Sequence, residues 1–489
     1  MTETTNAATR QLNLEFLKRQ AKALLKEING NIAAALDRLN AVHPHPAQPA
    51  KLADAQLVIA REHGFPSWPK FRAYVESTGG ANAARFRAIE TNIEYYDGRA
   101  NGLKSQHESG LPSAISQIRA HHPQFRDASD EAIVGADITI DDARLVTAVE
   151  HGRKSWREMK RWIDDLSQGE TVEPFNEAFL ALKSSDTALF SEWIRRDPTV
   201  VNASGTNANS MLSLAVSFRQ VQALRLLLEN GADVNAANVR GWTALHQAMG
   251  SNQKDVAVLL LDYGADPSLS ALGDGGTPLV IALFWGNAEA ADLLVQRTGV
   301  LPKNLRAAAG AGQMEMAAAF FDEAGELLPE AGMHRDHYRP HSGFPVWRPS
   351  GEPQEIIDEA FVYAASNGRL EMLEFLMEHG AGINSDPYRG SALHRVVKKP
   401  GLISTAKWLI DHGADVNLRA TFGGPGYGEA VTPLHVAAEG GSVEMAKLLI
   451  EHGADPSLAE DVYNATPTGW AEHFGHKELA EYLRCKHDS

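Results

Sequence analysis

The sequence predicts an all-α solenoid, a stack of short helical hairpins, preceded by a separate helical region. Three observations carry that prediction. A seven-residue stretch of the type TPLHVAA (Thr432–Ala438) recurs in the second half of the chain. Five of the segments that follow such stretches close on a Gly-Ala step: Gly231-Ala232, Gly264-Ala265, Gly380-Ala381, Gly413-Ala414 and Gly453-Ala454. The apolar–polar alternation that marks half-buried strands is nearly absent, and apolar residues recur at helical spacing instead.

The stretch Thr432–Asp455 shows the physics of one unit. Thr432 is suited to cap a first helix, and Pro433 to its first position, where an N–H would lack a partner anyway. Leu434, Ala437 and Ala438 give a face that a second helix can approach closely. Gly440 and Gly441 end that helix. Val443, Ala446, Leu448, Leu449 and Ile450 form a second apolar stripe. Gly453 stands where a helix end favours positive φ. Such a hairpin cannot bury its stripe alone and requires neighbours.

The neighbours align on the position of Thr432. Upstream anchors are Ser210 (SMLSLAV), Thr243 (TALHQAM), Thr277 (TPLVIAL), Lys303 (KNLRAAA), Glu359 (EAFVYAA) and Ser391 (SALHRVV); Thr466 (TPTGWAE) follows. The pattern resembles the ankyrin repeat, whose period is about 33 residues with a T-P-L-H-x-A signature. The resemblance covers residues 175–489 and implies an ankyrin-repeat solenoid of about eight units. Asn176–Ala203 and the stretch after Thr466 have degenerate signatures and read as capping repeats.

The first 170 residues read as a tandem, 1–80 and 81–170. DAQLVIAREHGFPSWPKFRAYV, from Asp54, matches DDARLVTAVEHGRKSWREMKRWI, in which Asp142 aligns with Asp54. His63/His151, Gly64/Gly152, Ser67/Ser155 and Trp68/Trp156 coincide. His43-Pro44 has a counterpart in His122-Pro123, and 82–107 supplies an extra helix. Asp54 is suited to cap a helix, the two Trp to plug cores, and the two His to hydrogen-bond at helix ends. This layout is similar to the N-terminal region of a group of bacterial ankyrin-repeat proteins.

Two copies depart from the pattern. Between Lys303 and Glu359, whose second helix is expected to end near Leu328, lies an insertion at about 329–353 with five prolines; long loops in compact arrays are often functional. Between Gly413 and Thr432 the connecting finger (418–431) is lengthened and glycine-rich.

The insertion carries His334, Asp336, His337 and His341, residue types that hold divalent metals. Arg335, Arg339 and Arg348 oppose a cation there. A metal-dependent hydrolase or a small-ligand binder is therefore the alternative to a binding scaffold, and no cofactor is expected. The signature histidines His246, His394 and His435 are, by the resemblance, bridges between repeats. His379, His412 and His452 sit at helix C-termini, where positive charge is favoured. Phosphate loops and the motifs H-E-x-x-H and G-x-S-x-G are missing.

The net charge of −16 argues against nucleic-acid binding. The single cysteine, Cys485, excludes an intrachain disulfide framework and leans towards a cytoplasmic protein. No stretch is apolar enough to be a signal peptide or a membrane span. The expected function is non-catalytic binding of another protein. The resemblance places the partner on the concave face and the finger loops. On the concave face, Phe284 and Trp285 are large where neighbouring copies are small or polar, and they are the candidate aromatic anchor. Fingertip candidates are Arg240, Trp242, Tyr388, Arg389, Phe422, Tyr427 and Tyr463.

Overall fold

A computed structural model describes residues 14–42, 49–62, 68, 86–271, 275–335, 350–387, 390–420 and 429–487. The chain forms two compact units, Met1–Ala208 and Asn209–Ser489. Among the described residues no helix is long and apolar enough to cross a membrane.

In the first unit, helices Leu14–Asn29, Ala33–Val42 and Leu52–Glu62 enclose a core of Ala21, Leu24, Ile28, Leu39, Val58 and Ile59, and Trp68 packs on its edge. Leu14–Asn29 lies along Leu52–Glu62, with Ala33–Val42 against both. Helices Ile93–Glu108, Pro112–His121 and Ile140–Glu150 repeat that packing. There Trp156, which opens helix Trp156–Ser167, packs on a core of Tyr96, Ala148, Met159, Ile163 and Leu166. Ile93–Glu108 lies along Ile140–Glu150 there.

The aligned aspartates do the same job. Asp54 accepts the Lys51 N–H at 2.6 Å and Asp142 the Thr139 N–H at 2.9 Å. Each acts from the third helical position, as in a capping box, so Asp54 caps from inside its helix and not from the position before it. His151 is buried, with Nδ1 against the Thr147 carbonyl (2.8 Å) and Nε2 against the Thr206 hydroxyl (3.0 Å). Its partner in the alignment, His63, and Ser67 lie outside the described residues. Beside it Glu150 is fully buried against Gln117, and burial pushes its carboxyl up to about 7.

The second unit is the stack. Thr432 caps helix Pro433–Gly440, and Gly441 and Gly453 take positive φ, +72° and +89°. The Gly453 N–H donates to Ile450 and the Ala454 N–H to Leu449, closing the second helix in a Schellman motif. Three sets of hydrogen bonds tie one copy to the next. The signature histidine is the first. The Thr432 N–H donates to His435 Nδ1 (3.2 Å), which leaves the proton on Nε2, and Nε2–H donates to the Ala465 carbonyl at 3.0 Å. His246 reaches Gly276 and His394 reaches Val431, each at 3.0 Å and each on the residue just before the next anchor.

An asparagine in each regular finger is the second tie. Asn235, Asn384 and Asn417 donate to the carbonyls of Gly264, Gly413 and Gly453 and accept the N–H of Asp266, Asp415 and Asp455 at 2.8 Å. The third tie lies at the start of three second helices. Gln253, Asn287 and His476 donate back to the carbonyls of Val216, Met249 and Glu439 in the preceding copy. His379, His412 and His452 bond the carbonyls of Phe375, Trp408 and Leu448 in their own helices, so a hydrogen bond holds each of them at its helix end.

The Lys303 copy is truncated. Asn304, one residue past the expected anchor, caps Leu305–Gly310, and the second helix is only Met314–Ala318. It ends well before Leu328 because Asp322 accepts the N–H of Ala324 and Glu326 and Gly325 takes positive φ, forming a reverse turn bridged by Phe321 and Leu327. The next helix, Pro353–Ser366, starts six residues before Glu359, with Pro353 in its first turn. Glu359 is therefore an interior helical residue and fully buried.

There the histidine tie is replaced. Arg306 stands at the signature-histidine position and donates to Glu359 Oε1 at 2.7 Å, with neither side chain exposed. Arg335, from the start of the insertion, donates to Glu359 Oε2 at 2.6 Å and to the Ser350 carbonyl; Ser350 N–H in turn donates to Glu355. Both ends of the insertion are thus fastened to one helix.

Three outcomes are expected. Burial holds His246, His394 and His435 at about 4, below the ordinary histidine value of about 6.5. The unfolded chain takes those protons first, so stability is complete above pH 6.5 and falls towards pH 4. Urea unfolding should show this, and His435→Ala should lose about 2–3 kcal/mol at pH 7.5 with a shallower acid slope. Glu150 has the opposite sign, since the fold keeps a proton that the unfolded chain releases. Glu150→Gln should stabilise by about 2–3 kcal/mol at pH 8 and by almost nothing near pH 4.5. Glu359→Ala leaves two buried guanidinium groups without their carboxylate and should cost about 3–5 kcal/mol in the same measurement.

Candidate binding surface

The inner row of the stack is formed by the fourth, seventh and eighth residues after each anchor. In the Thr243 copy these are Gln247, Gly250 and Ser251, all half-exposed. The row is closed in the middle. Ile281, Phe284, Tyr363, Ser366 and Asn367 are all buried. The small residues of Leu305–Gly310 permit this: a Cβ on Gly310 would meet the Leu283 side chain at 3.3 Å. The copies on either side of that short helix therefore approach each other.

The expectation of an exposed aromatic anchor is corrected for Phe284. Its ring is 4% exposed, 6.2 Å from Tyr363, with the Arg395 guanidinium 4.4 Å above it. The cover comes from the Glu359 and Ser391 copies. Trp285 is half-buried and meets Phe284 edge-on. Asn367 donates to the Leu283 carbonyl at 2.7 Å. Lys399 donates to the carbonyls of Trp285 and, at 2.6 Å, Gly286. These carbonyls end helix Pro278–Phe284, so a lysine more than a hundred residues along the chain caps it. Gly286 has φ +60°, and a Cβ there would strike the Ser366 carbonyl. Desolvation, with Arg395 and Lys398 nearby, brings the Lys399 ammonium down to about 8.

The finger side is open. Arg240 and Trp242 are half-buried, their N–H groups donating to Asn238 Oδ1 at 2.9 and 3.1 Å. Trp242 also leans on His246, 5.4 Å away. The stem of the long finger is a bridge between Ala420 and Val431, and Asp461 N–H donates to Glu429 across to the next finger. In that next finger buried Glu460 accepts the N–H groups of Val462, Tyr463 and Ala465 at 2.8–3.1 Å. Tyr463 is 60% exposed on this fixed turn, beside Val462 at 45%. Tyr388, Arg389, Phe422 and Tyr427 lie outside the described residues.

His334 is exposed and accepts from Asn304 through its carbonyl at 3.3 Å. Asp336, His337 and His341 lie outside the described residues, and among the described residues no group of three His, Cys, Asp or Glu side chains is placed to hold a metal. The Arg306–Glu359–Arg335 cluster and the Lys399 cap were not singled out from the sequence. Their signals are an arginine in the histidine position (KNLRAAA), a glutamate in the cap position (EAFVYAA) and a lysine pair at the seventh and eighth positions after Ser391.

A family described as ankyrin repeats in three copies matches residues 179–271, 212–306, 352–420 and 424–489, and a second, of many copies, matches 393–450. The gap from 307 to 351 holds the end of the truncated copy and the insertion. Human (Homo sapiens) 2-5A-dependent ribonuclease is 39% identical over 82 residues, 17% of this chain and 11% of that protein. Ankyrin repeat and SAM domain-containing protein 6 of Rattus norvegicus is 34% identical over 123 residues, 24% and 14% respectively. Rabankyrin-5 of Homo sapiens is 28% identical over 139 residues, 28% and 11%. The matched stretches are thus a small part of those proteins. With the family matches spanning more than half of its residues, the chain belongs to the ankyrin-repeat family.

Proposed function

We propose that the chain is a non-catalytic scaffold that recognises another protein, with the fingers of the last copies as its principal contact. The observation that carries this reading is Tyr463, 60% exposed on a turn that buried Glu460 fixes through three hydrogen bonds. An aromatic side chain on a preset backbone loses little entropy on binding and offers a large apolar face with a polar tip. Val462 extends that face. Arg240, Trp242 and Trp285 supply further contacts, and Tyr388, Arg389, Phe422 and Tyr427 belong to the same fingers by sequence. The work is cytoplasmic and uses no cofactor. The array begins near residue 175, and 1–80 and 81–170 are two copies of one helical unit, in the layout that bacterial ankyrin-repeat proteins carry.

The test is capture of partners from the native host by the full chain and by a Val462→Ser, Tyr463→Ser variant with an unchanged melting curve. The variant should lose a specific protein that the wild type retains, with an affinity drop of about 30-fold, roughly 2 kcal/mol. The same proteins retained at the same strength would sink the reading.

A further inference from the structure

The inner row carries a charge pattern that packing alone does not require. Arg395, Lys398 and Lys399 occupy its three positions in the Ser391 copy. The equivalent residues in the flanking copies are Tyr363, Ser366 and Asn367, and Val436, Glu439 and Gly440. Glu439 is the one carboxylate among these six, and it pairs with Lys398 at 2.6 Å. An arginine and two lysines thus stand beside one carboxylate among these six positions, in a chain whose net charge is −16.

Lys399 sharpens the imbalance. Its ammonium has three donors, and two of them go to the carbonyls of Trp285 and Gly286. Among the described residues no carboxylate lies within ion-pair distance of it. It is partly desolvated beside the Phe284–Trp285 pair, where an added anion would be attracted more strongly than in open water. Lys398 projects from the same helix end with about half of its side chain exposed.

We propose that this notch docks an acidic segment of the partner protein, its carboxylates against Lys398 and Lys399 and its apolar flank against Trp285. The proposal rests on the protein-recognition reading and adds the chemistry of the segment recognised. A nucleic acid fits less well, because a long polyanion meets the acidic remainder of the chain at the same time.

The probe is a fluorescein-labelled peptide of alternating Glu and Leu, titrated into the full chain and followed by anisotropy. A Lys–Leu peptide and a labelled oligothymidylate are run beside it. The acidic peptide should saturate the chain below about 1 mM and weaken as salt rises from roughly 50 to 300 mM. Lys398→Glu, a change at an exposed side chain, should weaken it about 10-fold or more, and Lys399→Gln should do the same. The Val462→Ser, Tyr463→Ser variant should bind the peptide as the wild type does. No saturation, equal binding by Lys398→Glu, or preference for the oligothymidylate would overturn the proposal. A native partner kept by Lys398→Glu but lost by the fingertip variant would overturn the acidic notch and leave protein recognition standing.

Discussion

A pair of short helices cannot finish itself. Its apolar stripe has no cover, and the carbonyl just before the next anchor has no partner until a side chain reaches it. The second unit depends on the bond that meets this need, His Nε2–H to that carbonyl. Thr432, Thr243 and Ser391 make it possible by engaging Nδ1, which sets the tautomer so that Nε2 donates. One residue thereby couples the cap of its own helix to the start of the next copy. The finger asparagines, and Gln253, Asn287 and His476 at the start of their second helices, repeat the logic at two other heights. Each satisfies backbone groups that a single hairpin leaves without partners.

In the Lys303 copy the histidine is missing and an ion pair carries the join. Arg306 is longer than imidazole and reaches past the backbone to the Glu359 side chain, which requires Glu359 to sit inside a helix and not at its start. A single buried arginine–glutamate pair leaves a carboxylate oxygen to satisfy, and Arg335 fills that place. Two guanidinium groups on one carboxylate would leave an excess charge, and Glu355 lies 3.4 Å from Arg335 to offset it. The consequence is structural: the cluster that stands in place of the histidine tie also fastens both ends of the insertion. Buried ion pairs of this kind contribute geometry more than stability.

The regular copies are legible in the sequence because every constraint on them is local. Cap, early proline, small residues and terminal glycine all act within one hairpin. Trp68 and Trp156 are legible as packing residues for the same reason, but both sit half-buried against their cores and do not plug them. The closure of the inner row is not local. Phe284 looks exposed when compared with Gly250 or Ser217 in its own register, and what covers it, Arg395, lies more than a hundred residues away. It arrives only because Leu305–Gly310 is too small to hold the neighbouring copies apart. A one-copy comparison cannot see a contact between copies three apart. Glu359 misleads in a related way: its spacing marks it as an anchor, but the proline six residues earlier starts the helix first.

Closure of the inner row also decides where recognition can occur. A continuous inner surface would allow a partner helix to lie along the whole stack. With Phe284, Tyr363 and Asn367 buried in the centre, that surface is interrupted, and under the proposed reading a partner meets either the finger edge or the rim of the closed notch. The two places differ in kind. The finger turn at Tyr463 is held by a buried carboxylate and offers a rigid aromatic face, suited to shape and apolar contact. The rim at Lys398 and Lys399 offers charge next to a half-buried indole. The truncated repeat is therefore the feature that separates these two places, by bringing together copies that a regular array would keep apart.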